Sequence, residues 1–265
     1  MIFAPFLKKK FYNKNFCSPI RAFLRRGSSF FCLTALVFLV CGCGIDEYIY
    51  LEPIIAVSSI PEPTNTDESI NQFTFQTRDA ANASSEYYRG CEVYYRIYNN
   101  ATTLISDRTA IQSYNDNTDT NANIFSYLTS TKKYSRLCYI PAGSSSVDIN
   151  PPLIAAANAN RDVVIRFITT AAYTQGIYVD GESIGVPVRN YDALDNTDYI
   201  TFDKFIDDES DSEKKNDDDV QYSSSFTETG VWYINAYAFS YGVNDSFSGV
   251  YSTAAYLGAV RIEED

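Results

Sequence analysis

No histidine occurs among the 265 residues. Its absence removes the usual general base, the usual partner of a serine or cysteine nucleophile, and the commonest metal ligand. Catalytic triads and zinc sites of ordinary type are therefore excluded. A glycine-rich phosphate loop is lacking as well, because YGVNDSFSG has neither the required spacing nor a following helix pattern. Paired carboxylates of the glycosidase kind remain chemically open, but with 33 acidic residues any two can be nominated, so no pair stands out. The expectation is a protein that is not an enzyme and needs no cofactor. Carboxylates are missing from residues 1–42, where Lys8, Lys9, Lys10, Lys14, Arg21, Arg25 and Arg26 stand alone. The apolar run that follows them, Phe30 to Cys41, has twelve residues. As a helix it is about 18 Å long, against a bilayer core of about 30 Å. A basic start, a short apolar run and small residues after it make a secretory signal over 1–42.

The small residues in LVCGC determine where such a signal is cut. The motif resembles a bacterial lipobox, in which an aliphatic residue, a tolerant position and a small residue precede the acylated cysteine. Val40, Cys41 and Gly42 fill those places here, so the resemblance implies lipid attachment at Cys43. A thiolate is the strong nucleophile that diacylglycerol transfer needs. Cys41 at the tolerant position resembles the looser lipoboxes of spirochaete lipoproteins. An uncleaved signal anchor and a C-x-C redox or metal pair are the competing readings. Lipid attachment implies a palmitate-type chain, a tether over 43–52 and a cell-envelope location. The outer membrane or cell surface is favoured, and the periplasmic face remains open.

Removal of 1–42 takes away seven bases, leaving 14 Lys plus Arg against 33 Asp plus Glu, a formal net charge of −19. A body this acidic has no counter-charge for a phosphate backbone, so nucleic acid is not an expected partner. The stretch DDESDSEKKNDDD, Asp207 to Asp219, carries eight acids and two lysines with no apolar residue. It is expected to be a disordered loop, since it can bury nothing and lacks the spacing of a calcium loop. DNTDTN, Asp116 to Asn121, reads as turn chemistry.

Two further cysteines, Cys91 and Cys138, follow Cys43 in an exported chain. One disulfide closing 48 residues is the expectation, with two buried free thiols as the alternative.

What is abundant is β-forming sequence, with 22 tyrosines and 17 phenylalanines among it. In YYRGCEVYYRIYNN, Cys91, Val93, Tyr95 and Ile97 alternate with Glu92, Tyr94, Arg96 and Tyr98, the pattern of a half-buried strand. In GVWYINAYAFSYG, Trp232, Ile234, Ala236 and Ala238 share one face. Phe73 with Phe75, Ile55 with Val57, and AAYLGAVRI supply more strands, the last with Gly258 as a bulge. RGCEVYYR is similar to strand C of a fibronectin type III module, and WYINAYAFSYG to its strand F. That resemblance implies a mainly β, immunoglobulin or fibronectin type III-like antiparallel β-sandwich over 53–265. A long insertion at about 100–228 would then separate the two strands. Within the insertion, ATTLISDRTAIQSY and NIFSYLTSTKK read as short capped helices, and Asp180-Gly181 as a hairpin turn. The lipobox, GCEVYYRIYNN and YLGAVRI together resemble uncharacterised spirochaete lipoproteins.

Loops at the ends of sandwiches carry function, and GVNDSFSGVY offers Asn244, Asp245 and Phe247 as a candidate ligand loop. The expected role is a binding module recognising a protein, peptide or glycan. A structural or assembly component of the envelope is the alternative, and a carboxylate-based hydrolase ranks below both.

Overall fold

The computed structural model describes residues 49–57, 60–67, 71–189, 200–202, 215–225 and 228–263. The expected signal over 1–42, the lipobox-like motif and Cys43 lie outside them. Strands β1 (Ile55–Ala56) and β2 (Phe73–Gln76) lead to a one-turn helix α1 (Asp79–Asn82) and the long strand β3 (Tyr88–Tyr98). Helix α2 (Ala101–Asp116) and the short α3 (Ile124–Ser126), extended by a wide π turn over Tyr127–Thr131, come next. β4 (Ser135–Arg136), β5 (Cys138–Pro141), β6 (Ile154–Ala155) and β7 (Asp162–Arg166) precede the hairpin of β8 (Gly176–Val179) and β9 (Glu182–Val188). β10 (Val220–Gln221), β11 (Val231–Val243), β12 (Gly249–Tyr251) and β13 (Ala255–Glu263) complete the chain.

Two sheets face each other. One has the order β1-β2-β7-β8-β9-β5, with antiparallel neighbours throughout. The other is built on the antiparallel pair of β3 and β11, in register from Tyr98↔Tyr233 to Tyr88↔Gly242. β13 and β12 share the outer edge of β11, while β10, β4 and β6 occupy successive stretches of the outer edge of β3. Phe73, Phe75, Val163, Ile165 and Phe167 of the first sheet pack with Cys91, Val93, Tyr95, Ile97, Trp232 and Ile234 of the second. The protein is a mainly β sandwich, and the inward faces are those that the period-two pattern predicts.

The outward face of β3 departs from the half-buried expectation. Glu92, Tyr94, Arg96 and Tyr98 are all buried, as are Tyr233, Asn235, Tyr237 and Phe239 on β11. The helical segment forms a third layer over this face. Leu104 and Ile111 of α2, Ile124 of α3 and Leu128 make its underside. Aromatic rings fill the interval: Phe125 stacks on Tyr251 at 3.5 Å, and Tyr94 meets Phe125 and Phe239 edge-on at 5.3 and 5.8 Å. Each such pair adds about 0.5–1.5 kcal/mol beyond the area it buries. Tyr98 and Tyr134 tolerate burial here because their hydroxyls find partners, whereas the Tyr237 hydroxyl is buried without one. Tyr98 donates to Asp107 at 3.0 Å, and Asn235 donates to the Tyr134 oxygen at 2.6 Å.

Local rules set the helices and turns. Asn100 caps α2 by accepting the Thr103 N–H at 2.9 Å, and Asn117 accepts the Asp119 N–H at 2.9 Å in the predicted turn. Asp180 and Gly181 both have positive φ, 51° and 85°, as a two-residue hairpin of this hand requires. Gly258 lies at the register shift between β11 and β13, and a Cβ there would meet Pro61 at 2.6 Å.

The segment 100–228 holds the short helices and extra strands expected of it, and it is integral to the body, since it supplies β5, β7, β8 and β9 of the six-stranded sheet. The expectation for the acidic stretch needs correction at its C-terminal end; residues 207–214 lie outside the described residues. Asp219 is not solvated but fully buried, accepting from Arg189 Nε at 3.0 Å, Arg189 Nη2 at 2.5 Å and the Tyr95 hydroxyl at 2.6 Å. Asp217 accepts from Arg189 Nη2 at 2.6 Å. A guanidinium with its own buried carboxylate supplies what composition alone could not: a reason for an acid to enter the core. Arg189 follows β9 in one sheet and Asp219 precedes β10 in the other, so the pair ties the sheets together. Replacing Arg189 with Met should cost about 3–5 kcal/mol in urea unfolding, because the Asp219 charge stays buried without its guanidinium. The double variant Arg189→Met, Asp219→Leu should recover most of that loss.

Candidate functional site

Asn244, Asp245 and Phe247 lie in the turn between β11 and β12. The turn is closed from within: Asn244 Oδ1 accepts the N–H groups of Ser246 at 3.1 Å and Ser248 at 2.8 Å. The Asn244 N–H donates to the Ser248 carbonyl at 3.0 Å, and the Phe247 N–H to the Asn244 carbonyl at 2.9 Å. Asn244 is thus a framework residue. Asp245 lies 3.5 Å from the Tyr87 hydroxyl at the surface. Phe247 adopts φ 58°, a left-handed conformation that is rare for a bulky side chain, and it is 91% exposed. Its neighbours hold an apolar ring in solvent on a fixed turn, and such an outlier points toward function.

The proposed bridge between Cys91 and Cys138 is absent, and both thiols are free and buried. Neighbouring positions on a strand point to opposite faces, and this separates the two. Cys91 points between the sheets with Val93 and Tyr95. Cys138 lies instead beside Arg136, whose Nη2 is 3.7 Å from its sulfur, next to Glu92 on the other face of β3. Burial pushes both thiols up, which disfavours the reactive thiolate form.

Glu92 is the most unusual titratable group of the outward face. It is fully buried, its nearest cation is Arg136 at 3.5 Å, and Oε2 makes no close hydrogen bond. Burial pushes its carboxyl up to about 7, against the charge and hydrogen bond of Arg136, which lower it. A general acid has this property, but Tyr94 and Tyr251 crowd the same space and the carboxyl is closed to solvent.

A concave surface lies elsewhere. Between the exposed side of α2 and the segment around Pro61 runs a groove of about 520 Å³, within the size range of ligand sites. Ile60 and the Tyr256 ring supply apolar wall, while Gln112 and Ser113 supply polar groups. Arg108 pairs with Glu62 at 2.6 Å, reaches the Tyr256 hydroxyl at 3.4 Å and lies 5.6 Å over its ring. Burial pushes the Tyr256 phenol up to about 12, with Arg108 opposing, so it remains a neutral donor and acceptor. Sequence reasoning missed this groove because its lining comes from three segments far apart in the chain. The signal available was α2 itself, predicted as a helix but not assigned a face.

No protein-family model matches the chain, and no curated protein or solved structure matches it either.

The raised Glu92 carboxyl has a consequence for stability. The folded state holds this proton more tightly than the unfolded chain, so Glu92 favours folding below pH about 4.5 and loses that contribution as pH rises toward 7. In urea unfolding across this window, the Glu92→Gln variant should gain stability over the parent by up to roughly 3 kcal/mol at the upper end. Parallel curves for the two proteins would show that Glu92 titrates normally.

Proposed function

We propose that the protein is a lipid-anchored component of a bacterial cell envelope that works as a non-catalytic binding module. The lipobox at Val40, Cys41 and Gly42 supports export and acylation at Cys43. The single observation that carries the binding role is the groove beside α2. It joins an aromatic wall at Tyr256 to an oriented guanidinium, an amide and a hydroxyl. Flat rings with a few placed polar groups suit a peptide or a glycan, whose repeating amides or hydroxyls those groups can read. Asp79 and Asp219 are buried and bonded within the fold, and Glu92 is closed to solvent, which weighs against the hydrolytic reading.

Strand order supports the finer resemblance to a fibronectin type III-like module. Immunoglobulin-type sandwiches place strands A, B and E together and C, F and G together. Here β1-β2-β7 and β3-β11-β13 follow the same two orders. The helical layer over the second group is an addition particular to this chain.

Two experiments test this reading. Cys43→Ala should lose the diacylglyceryl mass and move from the membrane to the soluble fraction; a variant that keeps the lipid mass would mean another thiol is used. Peptide and glycan arrays probed with the purified protein should give signals that Ser113→Trp abolishes, since Ser113 is exposed and its replacement fills the groove without entering the core. Signals unchanged by that substitution would remove the groove from consideration.

A further inference from the structure

We infer that the Asn244–Ser248 turn is a second membrane contact, with Phe247 seated in the lipid interface beside the acyl anchor. The inference rests on the proposed acylation of Cys43.

Its first support is where the folded chain begins. Leu51 is buried, and its Cδ1 lies 3.2 Å from where a Cβ on Gly242 would stand. The next residue is tied to the same strand, since Ser240 Oγ donates to the Glu52 carbonyl at 2.6 Å. The Glu52 N–H donates to Asn82 Oδ1 at 2.8 Å. Gly242 is two residues from Asn244, so the chain enters the body beside the turn that displays Phe247. Eight peptide steps separate Cys43 from Leu51. They span at most about 28 Å when fully extended. A lipid on Cys43 therefore keeps this end of the body against the bilayer rather than the opposite one.

The second support is what this end exposes. Phe247, 91% exposed, and Tyr50, 58% exposed, are the most exposed large apolar side chains among the described residues. Both belong to the end where the chain enters. Tyr87 joins them, its carbonyl accepting the Val243 N–H at 2.9 Å and its hydroxyl lying 3.5 Å from Asp245. Aromatic side chains favour the membrane interface, where a ring can be buried and a hydroxyl kept wet. The conformation of Phe247 fits the same role. A turn locked by Asn244 presents the ring without a further loss of loop entropy on insertion. A diacylglyceryl group on Cys43 holds the protein at the bilayer but leaves the body free to swing, and a second contact of this kind adds to the anchor and fixes the tilt of the body. The strongly acidic body makes a zwitterionic surface the suitable one, because anionic headgroups would repel it.

The test uses the full mature protein purified with its lipid and reconstituted into phosphatidylcholine vesicles whose acyl chains carry bromine, a short-range quencher of tryptophan. Phe247→Trp places a reporter in the turn. Thr229→Trp places one in an exposed loop at the other end of β11. That end is roughly 40 Å away along the strand. Trp232, buried in the core, gives the same background in both. The expected result is loss of the added emission at position 247 and none at position 229, in low and high salt alike. Emission at 247 that survives, or equal loss at both positions, overturns the inference. Mass measurement of the same samples reads the acyl group separately: protein with no lipid would overturn the anchor, whereas lipidated Phe247→Trp protein whose added emission stays bright would overturn only the membrane contact.

Discussion

β3 and β11 run antiparallel from Tyr88 to Tyr98 and from Val231 to Val243, and every other layer of the protein is placed against one of their two faces. Burial on both faces removes the freedom that a solvent-facing side would have allowed. One face must match the aliphatic and aromatic residues of the six-stranded sheet, and the other must match the underside of α2 and α3. The solution on the second face is aromatic, with Tyr94, Phe125, Phe239 and Tyr251 in mutual contact. Rings fill an interval between sheet and helix that smaller side chains would leave as cavities, and the Tyr98 and Tyr134 hydroxyls meet at 3.3 Å where water is excluded.

Buried ionic groups complete the arrangement at the margins. Arg189 with Asp219 links the end of one sheet to the start of a strand in the other. Asp79 accepts from Thr77 at 2.5 Å, from Tyr88 at 2.9 Å and from Arg161 Nε at 3.3 Å, gathering β2, β3 and the start of β7. Such clusters add little net stability over apolar replacements, but they penalise any packing that separates the partners. Short strands such as β10, which adds only two residues to the edge of β3, gain a defined position in this way. These constraints also divide the surface by use. The end where the chain enters carries the exposed aromatic turn, and the flank beside α2 carries the groove. In the proposed arrangement, a body anchored at the end where the chain enters would leave the groove on its flank accessible.

Much of this was legible along the chain because it depends on near neighbours. The inward alternation of β3 and β11, the Asn100 cap, the Asp180-Gly181 turn and the Gly258 bulge each follow from a few adjacent residues and the steric rules that govern them. The aromatic turn was legible in position, though not in the way Asn244 and Phe247 divide the work. Glu92 and Arg96 read as solvent-facing because polar residues at alternate positions are the ordinary mark of a wet face, and nothing local reveals a third layer.

The sequence by itself determined the strand-forming segments, the basic start with its short apolar run, and the lack of imidazole chemistry, all of which are properties of composition and short spacing. Only the tertiary structure decided that Cys91 and Cys138 stay apart, that Asp219 goes inside, and that Ile60, Arg108 and Tyr256 meet in one groove. Those outcomes depend on contacts between residues distant in the chain, whose geometry is set when the layers pack.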